Sequence, residues 1–131
     1  MEIIPESFND LLKDETKAFA FLGTVMPNGS PQVTPLWFNV EGDYILINSA
    51  QGRQKDLNMR ARPNVALAIM DPKKPYRYLQ IRGKVVEITA ETGAEHIHAL
   101  SRKYRGRDYD IPAGMVRVTY KIKPLKASTM G

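Results

Sequence analysis

Ser49, Arg53 and Lys55 stand where a run of strand formers, Tyr44–Ser49, gives way to a helical pattern at about Gly52–Ala61. Two of the three are cations in the first turn of that helix. That end carries partial positive charge, and aspartate or glutamate is the favoured choice there. A local rule broken in this way is commonest at functional sites. A bound anion resolves the conflict, because Ser49, both cations and the free N–H groups of the first turn can all address it. Spacing alone is equally compatible with both side chains extending into solvent.

Other chemistries find little support. The chain has no cysteine, hence no disulfide framework, thiolate nucleophile or zinc-finger spacing. His96 and His98 lie two residues apart on a helical pattern, so they point about 200° from one another and cannot chelate one ion. No metal site is expected, and one of these histidines should simply line the underside of the helix. Asp108 and Asp110 sit in a charged loop with nothing to mark them as an acid–base pair. Walker, dinucleotide-binding and nucleophile-elbow motifs are absent. No catalytic side chain is named. An anion-binding helix start without a nucleophile or base suits an enzyme whose chemistry belongs to a bound cofactor. Thr34-Pro35-Leu36-Trp37 adds to this, since a proline cannot donate to a ladder and its strand must be interrupted or at an edge. An interruption there would expose backbone N–H groups to the edge of a flat ring; an edge strand with Trp37 in the core is the alternative.

The elements that position these residues are legible from pattern. Ser7–Lys13 predicts a short helix capped by Ser7, with Phe8, Leu11 and Leu12 on one face. Lys17–Met26 and Gln32–Val40 are strand-like, joined by Pro27-Asn28-Gly29-Ser30, a strong hairpin signal. Asn28-Gly29-Ser30 also spells a glycosylation acceptor, but the turn accounts for it. Glu41-Gly42-Asp43 turns the chain into Tyr44–Ser49, so the first half is expected to be a three-stranded meander. Arg62-Pro63-Asn64 stops the helix, and Val65–Met70 and Tyr76–Thr89 follow as strands about a loop at Asp71–Pro75. Gly83 marks a bulge or a close backbone approach. Thr89–Tyr104 predicts an amphipathic helix capped by Thr89 or Thr92, with Ala94, Ile97, Leu100 or Ser101, and Tyr104 inward. After a loop at Arg105–Gly114, Met115–Ile122 is the last strand. Six strands in mostly hairpin order imply a mainly β, antiparallel barrel in one domain, 1–131.

Composition is that of an ordinary folded protein, and no apolar run is long enough to span a membrane. The acidic start, Met1-Glu-Ile-Ile-Pro-Glu, lacks a signal-peptide pattern, so a cytoplasmic protein is expected. The net charge of +5 is uneven: residues 101–126 hold eight basic and two acidic residues, a local +6. A phosphate-bearing ligand or nucleic acid would each suit such a region. Tyr104, Tyr109 and Tyr120 form no RNA-binding motif, so neither a nucleic acid nor a membrane partner is expected.

The ordered set Gly29-Ser-Pro-Gln-Val-Thr-Pro-Leu-Trp-Phe38, Arg53-Gln-Lys55, Arg62-Pro-Asn-Val-Ala-Leu67, Pro75-Tyr-Arg-Tyr-Leu-Gln-Ile-Arg-Gly-Lys-Val-Val-Glu-Ile88, Glu95-His-Ile-His-Ala-Leu-Ser-Arg-Lys-Tyr104 and Gly114-Met-Val-Arg-Val118 covers almost the whole chain. It resembles the split-barrel flavin-binding superfamily typified by pyridoxamine 5′-phosphate oxidase, and within it the short F420-dependent oxidoreductases. The resemblance implies a six-stranded split barrel that forms a homodimer with two cofactor sites at the subunit interface. It further implies that Arg53 and Lys55 bind the cofactor phosphate and that Ser49 and Ala50 contact it at the helix start. Gln32, Val33, Thr34, Pro35 and Trp37 would line the isoalloxazine or deazaflavin ring, and Arg77, Tyr78 and Gln80 would reach the site from the long strand, of the same or of the other subunit. The C-terminal segment with which pyridoxamine-phosphate oxidases read their substrate is lacking, so the namesake activity is not implied. The expected function is hydride transfer to or from a small organic substrate, with coenzyme F420 favoured over FMN; a non-catalytic carrier or sensor is the alternative. Haem is disfavoured by the scarcity of axial ligands.

Overall fold

In the computed structural model, which describes all residues from Met1 to Gly131, the expected hairpin forms between β1 (Ala20–Val25) and β2 (Pro31–Leu36). Gly29 takes φ +89°, which a side chain would resist, and the Ser30 N–H donates to Asn28 Oδ1 at 3.0 Å. The expected strand Gln32–Val40 is instead two strands, because the backbone leaves the ladder at Trp37 and resumes as β3 (Phe38–Glu41). β3 pairs with β4 (Tyr44–Ala50), which leads through a turn into α1 (Gln54–Ala61). β5 (Asn64–Met70), β6 (Tyr78–Thr89), α2 (Gly93–Arg105) and β7 (Arg117–Met130) complete the chain. The strands therefore number seven rather than six.

All seven form one antiparallel sheet in the order β2-β1-β5-β6-β7-β4-β3. The two ends of that order, β2 and β3, are separated in sequence only by Trp37. A single residue cannot cross a flat seven-stranded sheet, so the sheet curls until its edges nearly meet. The result is a split barrel, and the simple meander expected for the first half is corrected accordingly. Pro35 sits on an edge strand that ends one residue later, at Leu36, so the edge and the interruption occur together.

The barrel interior holds one apolar core, including Leu22, Phe38, Ile45, Ile47, Leu67, Ile81 and Tyr120. β4 is buried on both faces beyond its first residue. Ile45 and Ile47 face the core, whereas Asn48 faces α2, as the period-2 alternation of a strand requires. β7 runs eight residues past the expected end. Its lysines and Pro124 concealed it, and the pairing with β6 shifts register at Arg82/Gly83 to accommodate them. A Cβ on Gly83 would stand 2.7 Å from the Lys123 carbonyl, so bulge and close approach coincide there.

The N-terminal helix is a 3₁₀ helix, Glu6–Leu12, entered from Pro5 and with no side-chain cap. Phe8 and Leu11, three apart, eclipse in that geometry and are the two residues it buries. On α2 the buried stripe is His96, Ile97, Leu100 and Ser101, with Ala94 exposed. The helix begins later than expected, at Gly93. Thr92 gives no side-chain cap; its hydroxyl donates to Thr119 Oγ1 at 3.0 Å.

Candidate functional site

The turn between β4 and α1 is tied from beneath. Gly52, at φ +91°, donates its N–H to Asp56 Oδ2 at 2.9 Å. Asp56 Oδ1 accepts from Arg60 Nε at 2.9 Å and from the Tyr120 hydroxyl at 2.5 Å. Burial alone would raise the Asp56 carboxyl, but these donors outweigh it and hold the group below the ordinary carboxylate range. The one acid of the first helical turn is thus consumed inside the fold. Arg53, in the cap position, and Lys55, the second helical residue, line a cleft of about 240 Å³ on the other side.

A third cation enters that cleft from the start of β7. Arg117 is only 8% exposed and pairs across the ladder with Ala50. Its Nε donates to Asn48 Oδ1 at 2.9 Å, and its guanidinium lies 5.2 Å from the centre of the Tyr109 ring. None of the three cations forms an ion pair; the ion pairs of the chain lie elsewhere. Burial, reinforced by the charges of Arg53 and Arg117, lowers Lys55 below its ordinary value, and burial likewise lowers Arg117. Ser49 Oγ, in the same cleft, is the one fully buried side-chain polar atom without a hydrogen-bond partner. Arg117 is buried and Lys55 half-buried, while Arg53 is exposed at the mouth. Buried positive charge without a counter-charge is costly, as is an orphaned hydroxyl, and one bound anion would satisfy both.

The aromatic residues of the far wall are Trp37 and Tyr109, and Tyr104 and Phe19 form a stack behind Trp37. Trp37 stacks on Tyr104 at 5.3 Å and 8°, and Phe19 stacks on Tyr104 at 5.4 Å. Tyr109 meets Trp37 edge-on at 6.3 Å. Burial pushes the Tyr104 hydroxyl up to about 12, so it stays a donor, to the Ala18 carbonyl at 2.5 Å. Pro35 and Leu36 complete this side.

The cleft therefore gathers Pro35, Trp37, Ser49, Arg53 and Lys55 from the expected residues, with Ala50 buried beside them. Gln32 is turned toward α1, where its Oε1 accepts from Asn58 Nδ2 at 3.4 Å. Thr34 is half-buried and Val33 is 66% exposed on the same edge strand. Arg77 is not at the cleft: its guanidinium binds Asp10 at 2.7 Å, Asp71 at 3.1 Å and the Ser7 carbonyl at 2.7 Å, fastening the N-terminal 3₁₀ helix to the barrel. Tyr78 and Gln80 lie on β6, away from this chain's cleft, with Gln80 Oε1 accepting from Ser128 Oγ at 3.1 Å. Asn48, Tyr109 and Arg117 were not foreseen. Arg117 belongs to the basic segment, yet only the fold distinguishes it from Arg102, Lys103 and Lys121, which pair with Asp108, Asp14 and Glu87.

Residues 4–130 match the family model described as pyridoxamine 5′-phosphate oxidase. Among solved structures, one described as an F420 reductase is 35% identical, covers 95% of this chain and 98% of its own, and superposes with a TM-score of 0.85. A conserved hypothetical protein from Mycobacterium tuberculosis is 21% identical over 98% of this chain and 85% of its own, with a TM-score of 0.74. General stress protein 26 from Bacillus anthracis is 16% identical over 94% of this chain and 93% of its own, with a TM-score of 0.66. The last two are likenesses of fold alone. No curated protein matches the sequence.

Proposed function

This chain belongs to the pyridoxamine 5′-phosphate oxidase family, and from that premise we propose that it is an oxidoreductase holding a flavin or deazaflavin by its phosphate in the Trp37–Lys55 cleft. The observation that carries this is the unpaired cluster of Arg53, Lys55 and Arg117 around the orphaned Ser49 hydroxyl. That donor set fits a phosphate: two guanidinium forks, an ammonium and a hydroxyl, with the N-terminus of α1 behind them. The likeness to an F420 reductase at 35% identity favours coenzyme F420 over FMN.

A cleft of about 240 Å³ is smaller than the roughly 300–1,000 Å³ of typical small-molecule sites. It takes the phosphate end, and the ring would extend along the exposed edge of β2, past Pro35 and Val33. A second copy of the chain would cover it there, so the working unit is a homodimer, and Tyr78 or Gln80 could enter only from the partner. When bound, the ring supplies hydride transfer. The chain contributes position, charge and exclusion of water: Arg53, Lys55, Arg117 and Ser49 fix the phosphate, and Trp37 backs the ring. No helix is long and apolar enough to cross a membrane.

Titration of the purified protein with F420 and with FMN, followed by ultraviolet–visible spectra, tests the assignment. Tight binding of F420 is expected; retained yellow FMN would reverse the cofactor preference. Binding of neither would sink the proposal, and binding without reduction of any acceptor in a broad screen would favour the carrier or sensor role.

A further inference from the structure

Behind the anion cleft lies a buried polar chain that the phosphate cluster does not itself require. Asn48 is 6% exposed, and its amide is fully used. Oδ1 accepts from Arg117 Nε at 2.9 Å, while Nδ2 donates to the Gly93 carbonyl at 3.0 Å and to His96 Nδ1 at 3.1 Å. His96, buried on the inner face of α2, contacts Asn39 Oδ1 through Nε2 at 2.9 Å. The Gly93 carbonyl can only accept and the Arg117 Nε–H can only donate, so the Asn48 nitrogen faces Gly93 and its oxygen receives Arg117. The same nitrogen meets His96 Nδ1, so Nδ1 is the acceptor and Nε2 carries the imidazole proton toward Asn39 Oδ1.

We infer that His96 and Asn48 are positioning residues for the anion site, His96 together with the Gly93 carbonyl holding the Asn48 amide in the one orientation that aims Arg117 into the cleft. The inference rests on the cofactor reading above for its ligand, but the chain His96–Asn48–Arg117 can be tested without one. A proton on Nδ1 would set donor against donor at Asn48 Nδ2. The amide would then either be pushed off His96 or rotate, and rotation would set its oxygen against the Gly93 carbonyl and its NH₂ against the Arg117 guanidinium. Neutrality of His96 is maintained by burial and by the charge of Arg117 on β7, which lower its pKa to about 4. Glu41 on β3, Glu87 on β6, Glu95 on α2 and Lys121 on β7 line the neighbouring depression that His96 borders. The relay is therefore intact at neutral pH.

Nitrogen-15 spectra of the wild-type ligand-free protein test the tautomer directly: at pH 7 the His96 Nε2 must carry the proton and Nδ1 must not. The Arg117 Nε–H should give a slowly exchanging resonance. That resonance should be lost in His96→Leu and kept in His96→Asn, whose carbonyl oxygen replaces the Nδ1 acceptor. F420 and FMN are the probes for the second arm. His96→Leu should weaken whichever binds by about tenfold, and His96→Asn should recover most of that loss. A proton on Nδ1, an unchanged Arg117 resonance in His96→Leu, or equal weakening in both variants would overturn the inference. If the wild type bound neither probe while the resonances behaved as stated, the cofactor reading would fail and the positioning role would stand.

Discussion

The Tyr120 hydroxyl donates to the Asp56 carboxylate at 2.5 Å, joining the core face of the last strand to the first turn of the helix that carries Arg53 and Lys55. Asp56 is 1% exposed, so the bond is made away from water. Tyr120→Phe removes one donor from a buried charge and should cost about 1–3 kcal/mol of stability. The pH dependence has a definite sign. The folded pKa of Asp56 is depressed below 3.8, so its contribution is complete above that value and is lost as pH falls through the depressed one. Urea unfolding followed from pH 5 down to about pH 2 should therefore show a larger acid loss for wild type than for Tyr120→Phe, whose Asp56 pKa is less depressed. Parallel declines would remove Asp56 as the cause.

Lys55 separates stability from binding. Burial and the nearby Arg53 and Arg117 disfavour its charge in the ligand-free fold, lowering its pKa below the ordinary 10.5. A depressed lysine destabilises the folded state at neutral pH, and that penalty fades as pH rises through the depressed value. Lys55→Met should raise the melting temperature of the ligand-free protein. The same change should weaken F420 or FMN about ten- to hundredfold, since a charge-assisted bond of about 1.5–3 kcal/mol is lost. In wild type, affinity should fall as pH rises through the Lys55 pKa, and Lys55→Met should lack that limb. A variant both less stable and equally tight in binding would contradict the assignment of Lys55 to the anion.

What could be read from the sequence, and what could not, divides by the range of the forces concerned. Asn28-Gly29 announced its hairpin because turn chemistry is local, and Arg53 and Lys55 were conspicuous because a helix terminus is a local field. The break at Trp37 was half-legible: Pro35 signalled an edge, but the closure of the sheet depends on where β3 pairs, far away in the order. β7 was cut short because Lys123, Pro124 and Lys126 resemble a tail, and only β6 beside them keeps them in a ladder. Arg117 gave no signal of its own. Its importance comes from the absence of any carboxylate near it, which is a property of the folded chain. Arg77 shows the converse, since a basic residue at the head of a long strand is indistinguishable in sequence from one bound to Asp10 and Asp71.

Gly93 fixes how closely α2 approaches the site. A Cβ built on it would fall 1.8 Å from the Arg117 carbonyl oxygen and 2.8 Å from the Val118 nitrogen, both backbone atoms with little room to yield. Gly93→Ala should therefore lift the start of α2 off β7. Overpacking of this kind costs roughly 1–3 kcal/mol, occasionally more, and here it also stretches the bond from Asn48 to the Gly93 carbonyl. Thermal unfolding should show the loss, with cofactor affinity falling as well. Gly106→Ala, at the other end of the helix, has open space for its Cβ but sits at φ +75°. It should lower stability with much less effect on affinity, and equal effects of the two on binding would argue against a link between α2 and the cleft.

Trp37 is the only tryptophan of the chain and lines the cleft while stacked on Tyr104. Its emission is therefore a report from one place. A flavin or deazaflavin ring seated along β2 would lie against the indole and quench it, so titration with F420 or FMN should reduce emission to a plateau. The midpoint should move to higher ligand concentration in Arg53→Ala, Lys55→Ala and Arg117→Ala, because each removes a phosphate contact while leaving the indole in place. Inorganic phosphate alone should compete for the same cluster without reproducing the quench, since it carries no ring. If either cofactor bound, by an independent measure, with no change in emission, the ring would not lie beside Trp37, and the β2 edge would have to be abandoned as its bed even with the phosphate held by the three cations.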